Sequence, residues 1–480
     1  MDGLDNSLNL SFVSDRLVKV NYVRGTLELG IPKMNDHFLG TLKKKIQLKY
    51  DARVGVWRCD AMHYSLIRHL VKEMGDRVED NVFQERRVRW DHPTLPPLRK
   101  EQIEALDAWM TTKQGVIVMP TGTGKTNVAL SIMKELGVST LVVSPVRDLM
   151  YQWHRRILDE LGYDAGIIGD NIFNIQPVSV TTYDSAYIHM ETLGDTFQFI
   201  IFDECHHLPG KQRREAALMS AAPLRLGLTA TPERADGRHT DLGLLIGPIV
   251  YDLPIASVRG ETIADYDIVR IPIHLSEEEQ TRYNEASRCI RDYFVKRKRE
   301  DQSFDWLDAM AEIGKDPEAR AAQKAWYIKQ SIQDRAEEKF RVLEDIFRIH
   351  AGERVLVFCG SNVMAREISA RFLVPCLLNH CGKRERMEIL DGFKNNVYPV
   401  LVANKVLDEG VDIPEARIAV IVGGGASSRQ AKQRLGRILR KKENKRGILY
   451  EVVCEETTEV ARSQNRRRSD AYKRALHRSI

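Results

Sequence analysis

The chain of 480 residues has 43% hydrophobic and 29% charged residues, a globular balance in a length that predicts two to four domains. No apolar run is long enough to span a bilayer and no leader pattern opens the chain, while seven cysteines without a C-x-x-C pair disfavour structural disulfides and an iron–sulfur cluster. These features exclude a membrane class and predict a reducing, intracellular location, cytoplasmic or nucleoid-associated; the net charge of +5 decides little by itself.

Residues 1–92 predict a small α+β domain. Apolar and polar residues alternate over 15–31 with Arg24-Gly25 as a hairpin turn, and 51–59 suggests another strand pair. Leu66, Ile67, Leu70, Val71 and Met74 then mark one helix face that Gly75 ends. Residues 93–275 predict a first α/β lobe. Its apolar runs at 115–119, 140–144, 178–182, 199–202 and 224–228 alternate with amphipathic stretches, the pattern of a doubly wound parallel sheet.

Residues 276–334 are charged and lack strand runs, which predicts a helical insertion. Tyr293, Phe294, Trp306 and Trp326 are expected in its core rather than as a platform for bases. A second α/β lobe is expected over 335–456, with a helical stripe of Phe340, Leu343, Ile346 and Phe347 and strand runs at 354–358, 399–403, 418–422 and 447–453. It lacks a phosphate loop of its own. Cys376, His380 and Cys381 lack the second half of a metal site and are expected as ordinary core or surface residues. From Arg429 onward about 16 Lys/Arg face about 6 Asp/Glu, which suits a polyanion partner, with a solvated tail as the alternative for the last twenty residues; 457–480 is set apart as a basic C-terminal tail.

Two stretches carry chemistry. Met119-Pro120-Thr121-Gly122-Thr123-Gly124-Lys125-Thr126 lies between an apolar run and a helical pattern, the context of a phosphate-binding loop. Such a turn points backbone N–H groups and a helix N-terminus at an anion. Lys125 adds a positive charge for the β- and γ-phosphates, and the Thr126 hydroxyl is placed for Mg²⁺. Met119 occupies the place of the first Gly in G-x-x-x-x-G-K-[ST]. Further on, Ile200-Ile201-Phe202-Asp203-Glu204-Cys205-His206-His207 ends a buried strand on two carboxylates. Asp203 would hold a metal, directly or through water, and Glu204 would polarise the attacking water.

Lys125-Thr126 with Asp203-Glu204-Cys205-His206 resembles motifs I and II of the superfamily 2 helicases in their DExH form. Leu98-Arg99-Lys100-Glu101-Gln102 resembles the adenine-reading element, where the Gln102 amide is suited to pairing with an adenine edge. Ser144-Pro145-Val146-Arg147, Thr181-Thr182-Tyr183 and Thr229-Ala230-Thr231 resemble motifs Ia, Ib and III. Val357-Phe358-Cys359-Gly360-Ser361 resembles motif IV, and Glu409-Gly410-Val411-Asp412 lies in the likeness to motif V. Gln433-Arg434-Leu435-Gly436-Arg437-Ile438-Leu439-Arg440 fits the motif VI pattern, with Arg437 and Arg440 a helical turn apart on one face.

The resemblance implies two RecA-like lobes that use ATP and Mg²⁺. Lys125, Asp203, Glu204, His206, Gln433, Arg437 and Arg440 become catalytic, the two arginines acting on a γ-phosphate from the second lobe. Arg99, Gln102, Thr121, Gly122, Thr123, Gly124, Lys125, Thr126, Gly410 and Asp412 become nucleotide contacts, and Thr126 and Asp203 metal contacts. Ser144, Pro145, Arg147, Thr181, Thr182, Thr229, Thr231, Arg234 and Ser361 become nucleic-acid contacts.

Within the superfamily the chain is similar to the xeroderma pigmentosum group B (XPB-like) helicases and their bacterial and phage relatives. The likeness rests on 226–238, with its Arg234-Ala235-Asp236, on Tyr50-Asp51-Ala52-Arg53-Val54-Gly55-Val56-Trp57-Arg58 and on the helical insertion. Ala235 replaces the family's Glu, which leaves two roles open for Arg234 and Asp236: a strand-opening wedge, or the turn that Asp236-Gly237 also favours. The implied function is an ATP-dependent DNA helicase or translocase of repair, recombination or replication, moving 3′ to 5′ on duplex, forked or branched DNA. RNA ranks behind DNA as substrate. A remodeller of forks without simple strand separation, like the phage UvsW-type enzymes, and a partner-dependent ATPase subunit of a repair or phage-defence complex are the competing expectations.

Overall fold

The computed structural model describes residues 17–32, 35–75, 77–83, 87–234, 236–254, 257, 266–378, 380–404, 416–423, 447–467 and 477–479. It divides into two compact units, Met1–Leu253 and Pro254–Ile480.

The first unit opens with a five-stranded sheet. β1 (Leu17–Val23) and β2 (Thr26–Gly30) form a hairpin through Arg24 and Gly25, whose φ angles of 45° and 82° supply the left-handed pair that a tight two-residue turn needs. β3 (Lys49–Asp51) and β4 (Val56–Asp60) continue antiparallel, and β5 (Arg77–Asp80) pairs parallel with β1, giving the order β3-β4-β2-β1-β5. Period-2 alternation turns Val18, Val20, Leu27 and Leu29 to one face, where Phe38, Leu42, Ile67, Leu70 and Val71 of two helices cover them. Ala221 from the next domain joins that cluster, and the Tyr22 hydroxyl donates to the carbonyl of Met190 at 2.8 Å. The small domain is thus docked on the α/β domain that follows.

That domain is an eight-stranded sheet of β6 (Gln114–Val118), β7 (Thr140–Ser144), β8 (Gly166–Gly169), β9 (Ile172–Phe173), β10 (Val178–Thr182), β11 (Phe199–Asp203), β12 (Leu224–Thr229) and β13 (Ile249–Asp252). Its order is β13-β6-β12-β11-β7-β10-β8-β9, parallel except for the β8–β9 hairpin. Both faces are covered, as a parallel sheet requires. Ile117, Val142, Ile201 and Leu228 meet the helices Lys100–Thr112, Lys125–Leu136 and Arg147–Leu161. Val116, Val118, Val143 and Phe202 meet the helix Tyr183–Leu193 on the other side. The latter starts where the Thr182 side chain accepts from the Ser185 N–H at 3.2 Å, the Thr N-cap that satisfies an orphan donor.

Arg225 is buried at the start of β12. Its guanidinium donates to the carbonyls of Leu245 (2.8 Å), Ala217 and Ala222 (both 3.1 Å) and also to Ser220. Desolvation lowers its pKa to about 10, so the cation persists at neutral pH.

The second unit carries a seven-stranded, all-parallel sheet: β14 (Tyr266–Ile273), β15 (Val355–Cys359), β16 (Cys376–Leu377), β17 (Val400–Ala403), β18 (Ile418–Val422), β19 (Gly447–Cys454) and β20 (His477–Ser479), in the order β16-β17-β15-β18-β19-β14-β20. Val355, Val357, Val402, Ile418 and Val420 pack against Phe340, Leu343 and Ile346 of one helix and Met364, Ala365 and Ile368 of another.

Two expected boundaries shift. The stretch before 275 was assigned to the first lobe because an apolar strand run follows others there; β14 instead pairs with β19 and β20 in the second sheet. The basic stretch after 457 is not wholly a solvated tail. The helix Thr458–Arg467 is fixed by two buried ion pairs, Glu451 with Arg466 (2.6 Å) and Lys339 with Glu459 (2.7 Å). Between β14 and the helix Glu337–Ile349 stand three helices, Glu277–Glu300, Trp306–Glu312 and Pro317–Asp334. Tyr293 and Phe304 are buried in their small core and Phe294 stacks on Trp306, whereas Trp326 is 36% exposed.

Replacing Arg225 by Met keeps volume but orphans several buried carbonyls, each worth about 1–3 kcal/mol. Denaturant titration should show the first unit losing roughly 3 kcal/mol or more. A loss below about 1 kcal/mol would mean that water replaces the guanidinium.

Candidate active site

The sheet of the first unit brings three loops to one edge. Register sets Thr229 of β12 beside Val118 of β6, and Asp203 of β11 beside Leu228, so the loops after β6, β11 and β12 leave the carboxyl ends together.

In the loop after β6, the Met119 side chain is fully buried in the core, and its N–H donates to the Thr229 carbonyl at 3.0 Å. A side chain at this position therefore points away from the loop, which explains why the first Gly of the motif is dispensable here. Gly122 and Gly124 have φ of +87° and +82°, a left-handed backbone that opens the helix Lys125–Leu136. A Cβ on Gly124 would stand 2.3 Å from Gln102 Nε2. Lys125 Nζ donates to the Met119 carbonyl at 3.0 Å, across the mouth of the loop. Thr123 is buried and its hydroxyl donates to Pro120, while the buried Thr121 hydroxyl has no hydrogen-bond partner among the described residues.

Gln102, expected as a nucleotide contact, is tied to the loop after β6. It is 1% exposed; its Nε2 donates to the Thr123 carbonyl (2.8 Å) and its Oε1 accepts from the Arg99 N–H (2.9 Å). The Arg99 guanidinium also reaches the Thr123 carbonyl. Each amide end makes one bond, so Gln102 braces the loop after β6.

Asp203 is buried. Its Oδ2 accepts from the indole N–H of Trp153 at 2.8 Å, and its backbone carbonyl accepts from the Tyr183 hydroxyl at 3.0 Å. Burial pushes the carboxyl pKa up, and Trp153 and Lys125 pull the other way. Glu204 follows with φ of 46°, a left-handed conformation unusual for a residue with a side chain and a store of strain at the site. Its carboxylate lies 3.4 Å from His206 Nδ1, which is itself 3.0 Å from Thr229 Oγ1. Thr229 Oγ1 accepts in turn from the Thr231 N–H at 3.1 Å. The Glu204 carboxylate is thereby joined to the end of β12 through one buried imidazole. His206, Thr229 and Thr231 are all buried.

Arg234 and Asp236 meet in a fork, Nε to Oδ1 at 2.9 Å and Nη2 to Oδ2 at 2.7 Å, which holds the Asp236 carboxyl well below the usual carboxylate range. The Gly237 N–H closes a turn on the Arg234 carbonyl at 3.2 Å, and Arg234 Nη1 donates to the His206 carbonyl at 2.6 Å. The turn that the sequence allows for Arg234 and Asp236 is formed. Ala235 lies outside the described residues.

The expected nucleic-acid contacts divide. Ser144, Pro145, Thr181, Thr229 and Thr231 are buried; Ser144 donates to the Thr181 carbonyl (3.1 Å) and Thr181 to the Ile168 carbonyl (2.6 Å). Small hydroxyl residues here tie strand ends together, and their side chains face no solvent. Thr182 caps a helix, and Ser361 caps Asn362–Phe372 by accepting from the Met364 N–H at 3.3 Å. Arg147 is exposed and paired with Asp170 at 2.5 Å. Gly410, Asp412, Gln433, Arg437 and Arg440 lie outside the described residues. Sequence reasoning missed Trp153, which acts from the helix behind β7 with no motif to mark it, and gave Tyr183, quoted within the motif Ib likeness, no part beside Asp203. It also passed over the basic run Lys211-Gln212-Arg213-Arg214 directly behind the DExH residues.

The donor set fits a nucleoside triphosphate with Mg²⁺: a left-handed glycine loop, a helix N-terminus, an ammonium group, an unpartnered buried hydroxyl and a buried carboxylate.

Comparison with known proteins agrees with this chemistry. Residues 95–234 match the family model "Type III restriction enzyme, res subunit", and residues 322–470 match "ERCC3/RAD25/XPB C-terminal helicase". The chain is 40% identical over 429 residues to the DNA 3'-5' translocase XPB2 of Sulfurisphaera tokodaii, covering 88% of this chain and 95% of that protein. It is 30% identical over 385 residues to the DNA 3'-5' helicase XPB of Mycobacterium tuberculosis, covering 77% of this chain and 63% of that one. The crystal structure of the Pyrococcus furiosus Hef helicase domain superposes with a TM-score of 0.50 at 16% identity over 78% of this chain and 98% of that one, a likeness of fold.

Trp153→Phe removes the N–H that steadies Asp203 while keeping an aromatic ring in the core. Loss of such an outer contact typically weakens metal binding 10–100-fold. The Mg²⁺ concentration for half-maximal binding of a fluorescent ATP analogue should rise by about tenfold. An unchanged Mg²⁺ titration would show that Asp203 does not depend on the indole.

Proposed function

The chain belongs to the XPB family of DNA helicases, and we propose that it is an ATP-driven DNA translocase moving 3′ to 5′ in the handling of damaged, forked or branched DNA. It is an ATP-hydrolysing enzyme of the helicase class, and none of its described helices is long and apolar enough to cross a membrane. The observation that carries the reading is the contact chain from Glu204 through His206 to Thr229 and Thr231, set beside the Lys125 loop.

In this proposal the loop N–H groups and Lys125 bind the triphosphate, and Lys125 exchanges its bond to Met119 for one to phosphate oxygen. Thr126 and Asp203 would hold Mg²⁺, which supplies charge neutralisation at the phosphates. Glu204 orients a water and accepts its proton. His206 holds Glu204 in its left-handed conformation and ties it to the end of β12. The family resemblance assigns Arg437 and Arg440 to the γ-phosphate and Gln433, Gly410 and Asp412 to catalysis and nucleotide binding; all five lie outside the described residues. Changes at Glu204 then move Thr229, Thr231 and, through the His206 carbonyl, Arg234. The gripped element is the sugar-phosphate backbone, so affinity depends on salt more than on sequence. The likeness to the Sulfurisphaera tokodaii translocase favours movement on duplex DNA, with strand opening as its consequence.

Lys125→Ala and Glu204→Gln should each reduce DNA-stimulated ATP turnover at least a hundredfold, while Glu204→Gln still binds ATP. Arg440→Ala should cut turnover with a much smaller change in nucleotide affinity. Steady-state ATPase with and without DNA reads all three, and a Glu204→Gln chain with near wild-type turnover sinks the assignment. Single-stranded RNA that stimulates as strongly as DNA would overturn the choice of substrate.

A further inference from the structure

We propose that residues 207–213 form a pocket for one backbone phosphate of the DNA strand, a contact outside the helicase motifs and wired to the catalytic carboxylate. The proposal rests on the DNA-motor reading and names part of its track. Immediately behind Glu204 and His206 lies a cleft of about 550 Å³ lined by His207, Gly210, Lys211, Gln212, Arg213 and Arg234. Its lining holds two guanidinium groups, an ammonium group and an imidazole, and no carboxylate.

The walls come from three strand ends. Arg213 donates to Asp184 Oδ1 at 3.1 Å and lies 5.8 Å over the Tyr183 ring, at the helix that follows β10. His207 follows β11, and Arg234 follows β12. The cleft therefore opens on the carboxyl edge of the sheet, where ligands of doubly wound folds bind.

The cations are held in reserve. Lys211 is exposed. Arg213 is paired with an aspartate whose side chain is 73% exposed, and such a solvated pair is worth about 0–1 kcal/mol. A diester phosphate, with two acceptor oxygens, replaces Asp184 at little cost and adds Lys211. The chemistry sees the phosphodiester and not the base.

Occupancy has a short path to the chemistry. Arg213 Nη1 lies 3.3 Å from His207 Nδ1, the His207 and His206 rings are 4.3 Å apart, and His206 touches both Glu204 and Thr229. Arg234, on the opposite wall, donates to the His206 carbonyl. A strand seated in the cleft bears on the imidazole that positions Glu204, which gives DNA a route to stimulate hydrolysis.

The test uses the full chain and two substitutions of opposite sign. Lys211→Glu puts a negative charge in the cleft, and Asp184→Asn frees Arg213. The readout is the duplex DNA concentration for half-maximal ATPase stimulation between about 50 and 200 mM salt, with thermal unfolding as the fold control. Lys211→Glu should raise that concentration roughly tenfold and flatten the salt slope by about 0.9 for the lost phosphate contact. Asp184→Asn should lower it about threefold. Damage to the loop's structure would weaken both variants, so a weaker Asp184→Asn overturns the proposal, as do two variants within twofold of wild type. Inorganic phosphate is the second probe: it should compete with DNA in the wild type and lose that competition in Lys211→Glu, and competition of equal strength in both overturns the pocket. A wild-type chain that DNA does not stimulate overturns the motor reading itself.

Discussion

Parallel register at the centre of the first sheet is the constraint on which the site depends. Because β6, β12 and β11 run the same way side by side, their carboxyl ends fall on one edge, with Val118, Thr229, Leu228 and Asp203 at matching levels. Strand spacing of about 4.8 Å then leaves the phosphate loop, the two carboxylates and the Thr229 hydroxyl within contact distance of each other's neighbours. The Met119 N–H to Thr229 bond and the His206 to Thr229 contact are direct results. A shift of one residue in β12 would turn Thr229 to the other face and break both.

Burial gives the two carboxylates separate characters. Asp203 is enclosed, held by Trp153 and raised in pKa by desolvation, so a cation in place would be strongly favoured there. Glu204 sits one residue on in a left-handed backbone, which turns its side chain out of the strand's alternation and toward His206. The strain of that conformation is tolerated because Cys205, His206 and Leu208 are packed beneath it. Adjacent acids in one strand end thus receive different neighbours, and with them different tasks.

A second pattern concerns arginines on the same edge. Arg147, Arg213 and Arg234 each pair with an aspartate, Asp170, Asp184 and Asp236. Pairing keeps a cationic surface compact and aimed, and the pairs with exposed partners are weak enough for a polyanion to exchange into. Buried ions follow a different rule. Arg225 and Lys339 are enclosed with backbone carbonyls or a carboxylate fully directed at them, and they serve the fold.

The sequence by itself determined the α/β class, most strand positions, the phosphate loop and the carboxylate pair, because each is a local pattern: period-2 apolar runs, glycines before a helix, two acids ending an apolar strand. It also carried the family likeness. Tertiary structure decided which neighbours those residues have. Hydroxyls at 144, 181, 229 and 231 look like solvent contacts in a string of letters, yet the sheet encloses them, and Gln102 gains a bond to the Thr123 carbonyl that no local pattern announces. β14 left the first lobe for the second because pairing is a choice between edges distant in sequence, with no local signature. Trp153, the bond from Tyr183 to Asp203 and the cleft behind His207 were illegible for the same reason: their meaning lies in contacts across 20 to 50 residues of chain, which only the closed sheet makes.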